Sequence, residues 1–277
     1  MNKIIYDIDT LFPVHTDCVT EYQDKLQTGL KYAENKKIAI LCLARNIANQ
    51  FKFPMRQIRL LLENFHKESN VYVYENDSND DTPALIQELF NKPEYSNFSI
   101  VSEKLDTKYL PLSRNTVRTF NMARARIACY NSIDKQLLNS YDFFVVLDID
   151  FLNFSTNGLF NSLGWMKDNP EISAMCGNSY IKNQSNNQYT NYDSFAFRLN
   201  HWNEQNIPWF PEFYLPIGSK PFEVFSGFGG CCIYRKEFYK PLYSGEDCEH
   251  VMLHKNLTNK FQNFKLFYNP SQIMMVQ

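Results

Sequence analysis

Apolar and polar positions alternate in a regular order along this chain. Ile38 to Leu43 form a continuous apolar run, the pattern of a strand buried on both faces. Ile58, Leu61, Leu62 and Phe65 then recur at helical spacing. Val71–Glu75 reads as a second strand, followed by the turn-rich run NDSNDDTP and a helix opening at Pro83. Phe98–Glu103 reads as a third strand. Residues 116–138 read as one long helix, with Val117, Phe120, Met122, Ile127 and Ile133 on or near one face. Phe143–Phe151 is the most apolar strand, and Ile172–Asn178 is another. Extended segments around Tyr192–Arg198 and Glu223–Tyr234 precede a helix over Glu249–Leu257 and a last short strand near Phe264–Tyr268.

Strands and helices in this order predict an α/β fold with a mostly parallel central sheet flanked by helices. Residues 1–35 read as an N-terminal extension packed on the domain, with an amphipathic stretch around Val19–Tyr32. Residues 36–277 form the main domain, in two halves (about 36–152 and about 153–277). On such sheets ligands sit at the carboxyl ends of the strands. That rule gathers Arg45-Asn46, Asp77-Ser78 and Asp148–Asp150 as expected neighbours.

Composition narrows the field. The 277 residues carry a net charge of −2 and no Lys/Arg cluster, which argues against a nucleic-acid partner. The 23 Phe and 17 Tyr suit a large core, with some rings free to stack on sugars or bases. Seven scattered cysteines without CxxC pairing read as reduced thiols. With no apolar leader at the start and no run approaching the ~20 residues of a membrane span, they point to a soluble cytoplasmic protein, in the host cytoplasm if viral.

The chemistry centres on Asp148 and Asp150. Residues two apart on an extended strand share a side. Two carboxylates at the end of a buried strand are costly unless a cation binds them. Mn²⁺ or Mg²⁺ bridging a diphosphate meets that need, because these ions take oxygen ligands and often only one or two carboxylates. A second Asp-x-Asp, Asp7-Ile8-Asp9, lies near the start and reads as structural. Gly227, Gly229 and Gly230 form a Gly-rich segment whose backbone can approach a ligand. It fits neither GxGxxG nor a Walker pattern. Gly245–His254 enters the late helix with Glu246, Asp247 and Glu249, and Asp247 or Glu249 can serve as a general base. His250 and His254 share one face of that helix. Trp202, Pro208, Trp209, Phe210 and Tyr214 form an aromatic loop suited to an acceptor sugar.

Taken together, FVVLDID, VYVYENDSNDDT, LARN, YDSFAFR, FSGFGGCCIYR and EDCEHVMLH resemble the GT-A-fold glycosyltransferases, in particular the cryptococcal capsular mannosyltransferase type and similar bacterial and large algal virus enzymes. The resemblance spans about residues 36–270. It implies a hexosyl- or pentosyltransferase moving a sugar from a nucleotide sugar to a glycan hydroxyl. UDP is favoured as the nucleotide, with GDP-mannose as the alternative. Inversion is favoured over retention. The resemblance further implies metal binding by Asp148 and Asp150 with His250 completing the shell, and His254 as substitute. It also implies donor contacts from Arg45, Glu75, Asp77, Ser78, Arg126 (or Arg124), Asp148 and Gly229, and favours Asp247 as base. A nucleotidyltransferase would carry a Gly-rich loop where this chain has LARNIANQ. A non-catalytic sugar- or nucleotide-binding module is the remaining rival, and the paired acids weigh against it.

Overall fold

The computed structural model describes residues 7–107, 115–183, 185, 188–203 and 215–276. A short helix α1 (Ile8–Leu11) and α2 (Val19–Ala33) precede β1 (Ile38–Ala44). Then come α3 (Lys52–Leu62), β2 (Asn70–Asn76), α4 (Thr82–Phe90) and β3 (Phe98–Glu103). Next are α5 (Thr116–Asn131), α6 (Lys135–Leu138), β4 (Phe143–Leu147), β5 (Phe151–Phe154), α7 (Thr156–Asp168), β6 (Ala174–Lys182) and β7 (Tyr189–Asn191). The chain closes with β8 (Phe222–Val224), β9 (Cys231–Arg235), α8 (Glu249–Lys260) and β10 (Leu266–Val276).

One sheet runs in the order β3-β2-β1-β4-β9-β6-β10-β5, with β7 beside β6 and β8 beside β10. The strands β3, β2, β1 and β4 are mutually parallel, as are β6 and β10. Antiparallel pairs enter with β9, β7, β8 and β5. Side-chain alternation then builds two cores. Ile38, Ile40, Val71, Val73, Phe143 and Val145 face α2, α3, α4 and α7. Ala39, Leu41, Tyr72, Tyr74, Phe144 and Val146 face α5 and α8. The result is the expected α/β domain with helices on both faces of its sheet.

Three elements differ from the sequence reading. The helix expected over 116–138 stops at Asn131. Ser132 closes it, and Asp134 caps the separate α6 by accepting from Gln136 N. Val117 and Phe120, read as lying on or near the apolar face of that helix, are exposed. The apolar run 143–151 is two strands: β4 ends at Leu147, and Phe151 opens β5 at the far edge of the sheet. The last strand is long rather than short. It passes Pro270 through a register shift between Tyr268 and Ile273, a place where a missing N–H is tolerated.

Residues before 36 are integral to the fold. Gly29 of α2 lies so close to α7 that an added Cβ would stand 1.7 Å from the Phe160 carbonyl oxygen, and one on Gly164 would stand 1.9 Å from the Lys25 oxygen. Asp9 of the early Asp-x-Asp accepts from Ser155 Oγ at 2.9 Å and from Asn157 Nδ2 at 2.5 Å. Its role is to tie α1 to the start of α7.

Candidate active site

The carboxyl ends of β1 and β2 are laced together. Asn46, at φ 55°, donates its N–H to Ser78 Oγ (3.0 Å) and accepts from Asn79 N (2.7 Å). Ile47 N reaches Thr82 Oγ1 and Ala48 N reaches Asp80. Glu75 is buried, accepting from Ser78 N and from Ser102 Oγ. Asp77, at φ 56°, accepts from Leu105 N, Asp106 N and Thr107 N at 2.6–2.9 Å, and from the Thr107 hydroxyl. Partial burial opposes its charge, but these donors hold its carboxyl far below the usual range. Arg45 donates to Thr107 Oγ1 and to the Thr107 carbonyl. The structure therefore brings Arg45, Glu75, Asp77 and Ser78 together. Glu75 and Asp77 spend their carboxylates on loop backbone and on the Ser102 and Thr107 hydroxyls, which ties the loops after β2 and β3 together.

One strand over, Asp148 leaves β4 with its N–H bonded to the Gly230 carbonyl at 2.8 Å. Its Oδ1 accepts from Arg126 Nη2 at 3.1 Å. Arg126 projects from α5, is 4% exposed, and donates from Nε to Glu249 Oε1 at 3.2 Å. Its guanidinium lies 5.0 Å over the Phe228 ring. Burial works against the charge on Arg126, but Asp148 and Glu249 hold it firmly protonated. Burial pushes the Asp148 carboxyl up to about 6; Arg126 opposes the shift, and Asp150 and Glu249 reinforce it. Asp150 is exposed. Arg124, the alternative to Arg126, is also exposed on α5.

At the start of α8, Glu249 is 4% exposed, enclosed with Arg126. Asp247 retains more surface and is gripped through both oxygens by Arg198 Nη2, at 3.0 and 3.2 Å. Arg198 is fully buried and also donates to the carbonyls of Phe195, Phe197 and Trp202. His254 is a structural histidine, with Nδ1 2.9 Å from Ser226 Oγ and Nε2 2.8 Å from Tyr234 OH. His250 stacks on Phe228 with ring centroids 3.6 Å apart, and burial keeps it neutral. Neither His250 nitrogen has a hydrogen-bond partner among the described residues. Among those residues no three His, Cys, Asp or Glu side chains converge as a metal-binding group, so His250 does not complete a three-donor set with Asp148 and Asp150.

Gly229 (φ 60°) and Gly230 (φ 76°) are required by the protein's own packing. A Cβ on Gly229 would stand 2.2 Å from the Gly177 oxygen, and one on Gly230 2.1 Å from Met274 Sδ. Of the aromatic loop, Trp202 packs on Phe225; Pro208, Trp209, Phe210 and Tyr214 lie outside the described residues. All seven cysteines are free thiols, and six are buried. Among the described residues no helix is long and apolar enough to cross a membrane.

Two participants escaped the sequence reading. Asp193 accepts from Gly229 N at 2.9 Å, and burial pushes its carboxyl up to about 7, helped by Asp148 and Glu249. Arg198 is the other. Both lie in YDSFAFR, where two opposite charges set in an aromatic run were the available signal.

The fold is that of the GT-A glycosyltransferases. No protein-family model and no curated protein matches the sequence. Among solved structures, the chain is similar to the mannosyltransferase PcManGT from Pyrobaculum calidifontis in complex with GDP-Man and Mn²⁺. The TM-score is 0.51 at 13% identity, covering 94% of this chain and 66% of that one. It is also similar to GalNAc-T7 with UDP, GalNAc and Mn²⁺, at TM-score 0.56 and 11% identity, covering 87% of this chain and 43% of that one. This chain thus spans less than two thirds of the length of either, and the likeness is one of fold.

Proposed function

We propose that the chain is a metal-dependent glycosyltransferase that moves a sugar from a nucleoside diphosphate sugar to a hydroxyl of a glycan acceptor. The observation that carries this reading is the placement of Asp148 and Asp150 at the carboxyl end of β4, beside the Arg126–Glu249 pair, on a GT-A sheet. The donor set suits a hard cation: Arg126 engages Asp148 through Oδ1, and Asp150 is exposed. Two carboxylates without a full protein cage fit Mn²⁺ or Mg²⁺, whose remaining ligands are phosphate oxygens and water. When bound, the ion neutralises charge on the departing diphosphate.

The chain's own residues supply the rest. Arg45 and Ser78 border the nucleotide, within the rim that Glu75 and Asp77 hold in shape. Arg126 keeps Asp148 and Glu249 in register. Asp247 takes the proton from the acceptor hydroxyl as its oxygen bonds to the anomeric carbon and the nucleoside diphosphate leaves from the opposite face, a single displacement that inverts that centre. It is better placed than Glu249 because it is less enclosed, and Arg198 fixes its orientation. UDP is the favoured nucleotide. A GDP-mannose donor is the second reading, favoured by the GDP-Man held by PcManGT.

The test is release of nucleotide from UDP- and GDP-sugars with Mn²⁺, with and without chelator. We expect loss of release with chelator and in Asp150→Ala, and retention in Asp9→Ala. Release indifferent to both chelator and Asp150→Ala would refute the assignment. Asp247→Asn should lower transfer by roughly 10²- to 10⁴-fold, the usual contribution of a positioned base. Near-normal transfer by both Asp247→Asn and Glu249→Gln would exclude both as the base.

A further inference from the structure

The connection between β8 and β9 holds Asp148 from outside its own strand. Asp148 N donates to the Gly230 carbonyl at 2.8 Å, directly beyond the paired residues Leu147 and Cys231 that end β4 and open β9. That carbonyl belongs to the second of two consecutive glycines with left-handed φ, 60° at Gly229 and 76° at Gly230. Glycine has the widest backbone freedom of any residue, so the shape of such a pair must be imposed by its contacts. Two of these come from backbone: Gly177 N donates to the Phe228 carbonyl at 3.2 Å, and Gly229 lies so close to Gly177 that an added Cβ would stand 2.2 Å from the Gly177 oxygen. The third comes from a side chain. Asp193 Oδ2 accepts from Gly229 N at 2.9 Å.

Asp193 is itself held in place. Asn191 of β7 pairs with Tyr180 of β6, and Tyr192 N donates to the Ser179 carbonyl at 2.9 Å, which carries Asp193 to the glycine turn. A second tie secures the far end of the same segment. Arg198 N donates to the Ser226 carbonyl at 2.9 Å, and Ser226 N returns a bond to the Arg198 carbonyl at 3.0 Å. The line of contact therefore runs from Asp193 to Gly229 N, through the glycine pair to Gly230 O, and on to Asp148 N. Arg126 fixes the carboxylate of Asp148, while this line fixes its backbone.

We propose that Asp193 is a positioning residue for the ion site: by holding the Gly229 N–H it sets the Gly230 carbonyl, and through it the backbone of Asp148, where Mn²⁺ is gripped. The inference rests on the metal-dependent reading of Asp148 and Asp150. What the turn needs from Asp193 is an acceptor oxygen, not a charge. Burial opposes a charge there, and Asp148 and Glu249 add to that opposition.

The experiment titrates the full chain with Mn²⁺ in the presence of UDP by calorimetry. In parallel, backbone hydrogen exchange is followed in peptides covering 146–150 and 226–231. Asp193→Ala, or Asp193→Ser in its place where the alanine variant does not fold, should weaken Mn²⁺ binding about 10- to 100-fold, the range for removing a partner that orients a metal ligand. The same variant should speed exchange in those two peptides more than elsewhere. Asp193→Asn keeps an oxygen for Gly229 N and should restore both properties to near the wild-type values. The proposal fails if the alanine or serine variant binds Mn²⁺ as wild type does. It fails equally if Asp193→Asn is as weak as that variant, which would make the charge the working feature, or if exchange rises uniformly over the chain, which would reduce Asp193 to general stability. If wild type binds neither UDP nor Mn²⁺, the metal-dependent reading falls and takes this one with it. Wild-type binding with unaffected variants sinks this inference alone.

Discussion

His254 shows how a single buried side chain sets a response to pH. Both ring nitrogens are bonded within the core, and burial pushes its pKa down to about 3. In the unfolded chain it would titrate near 6.5, so the unfolded state takes the proton first. Its contribution to stability is complete above about pH 6.5 and declines as pH falls towards 3, by about 1.4 kcal/mol per pH unit. Asp148 and Asp193 act with the opposite sign. Their raised values favour the folded state at low pH, and that advantage is lost as pH climbs through about 6 and 7. Comparing wild type with His254→Gln separates these effects. The stability difference between the two should shrink as pH drops from 6.5 to 4, measured by denaturant unfolding. A constant difference would contradict the assignment. Residue placement was legible in the sequence where an acid coincided with a strand end, as at Asp148 directly after β4. Asp193 and Arg198 escaped notice because their neighbours Gly229 and Asp247 are far away in sequence.

Among the elements, the junction of α2 and α7 carries the sharpest constraint. Two glycines let the helices meet backbone to backbone, so the N-terminal segment is part of the domain's first core. Gly29→Ala or Gly164→Ala should destabilise the protein by about 1–3 kcal/mol through overpacking. A fall in melting temperature checks this, and an unchanged value would mean the helices can separate at no cost. Elements were readable where the apolar pattern was strong. Phe98–Glu103 was bounded correctly by its alternation with polar neighbours. The long helix was misjudged because Ser132 to Asp134 end one helix and begin another without proline or glycine. The run through Phe151 was misjudged because Ile149 is buried like Leu147 and Phe151 on either side of the turn, so the alternate apolar positions run on without a break. The length of β10 was hidden by Pro270, which reads as a stop and here sits at a register shift.

At the level of the whole molecule, β4 and β5 stand on opposite sides of three intervening strands, yet only residues 148–150 join them. Along its length β10 changes partners, from β8 beside Leu266–Tyr268 to β5 beside Met274–Val276. The acids proposed to grip the ion are thus the stitch that fastens the doubly covered parallel half to the mixed half. Substituting Asp150 leaves this join its length, whereas adding or removing a residue in the tripeptide would pull the two halves out of alignment.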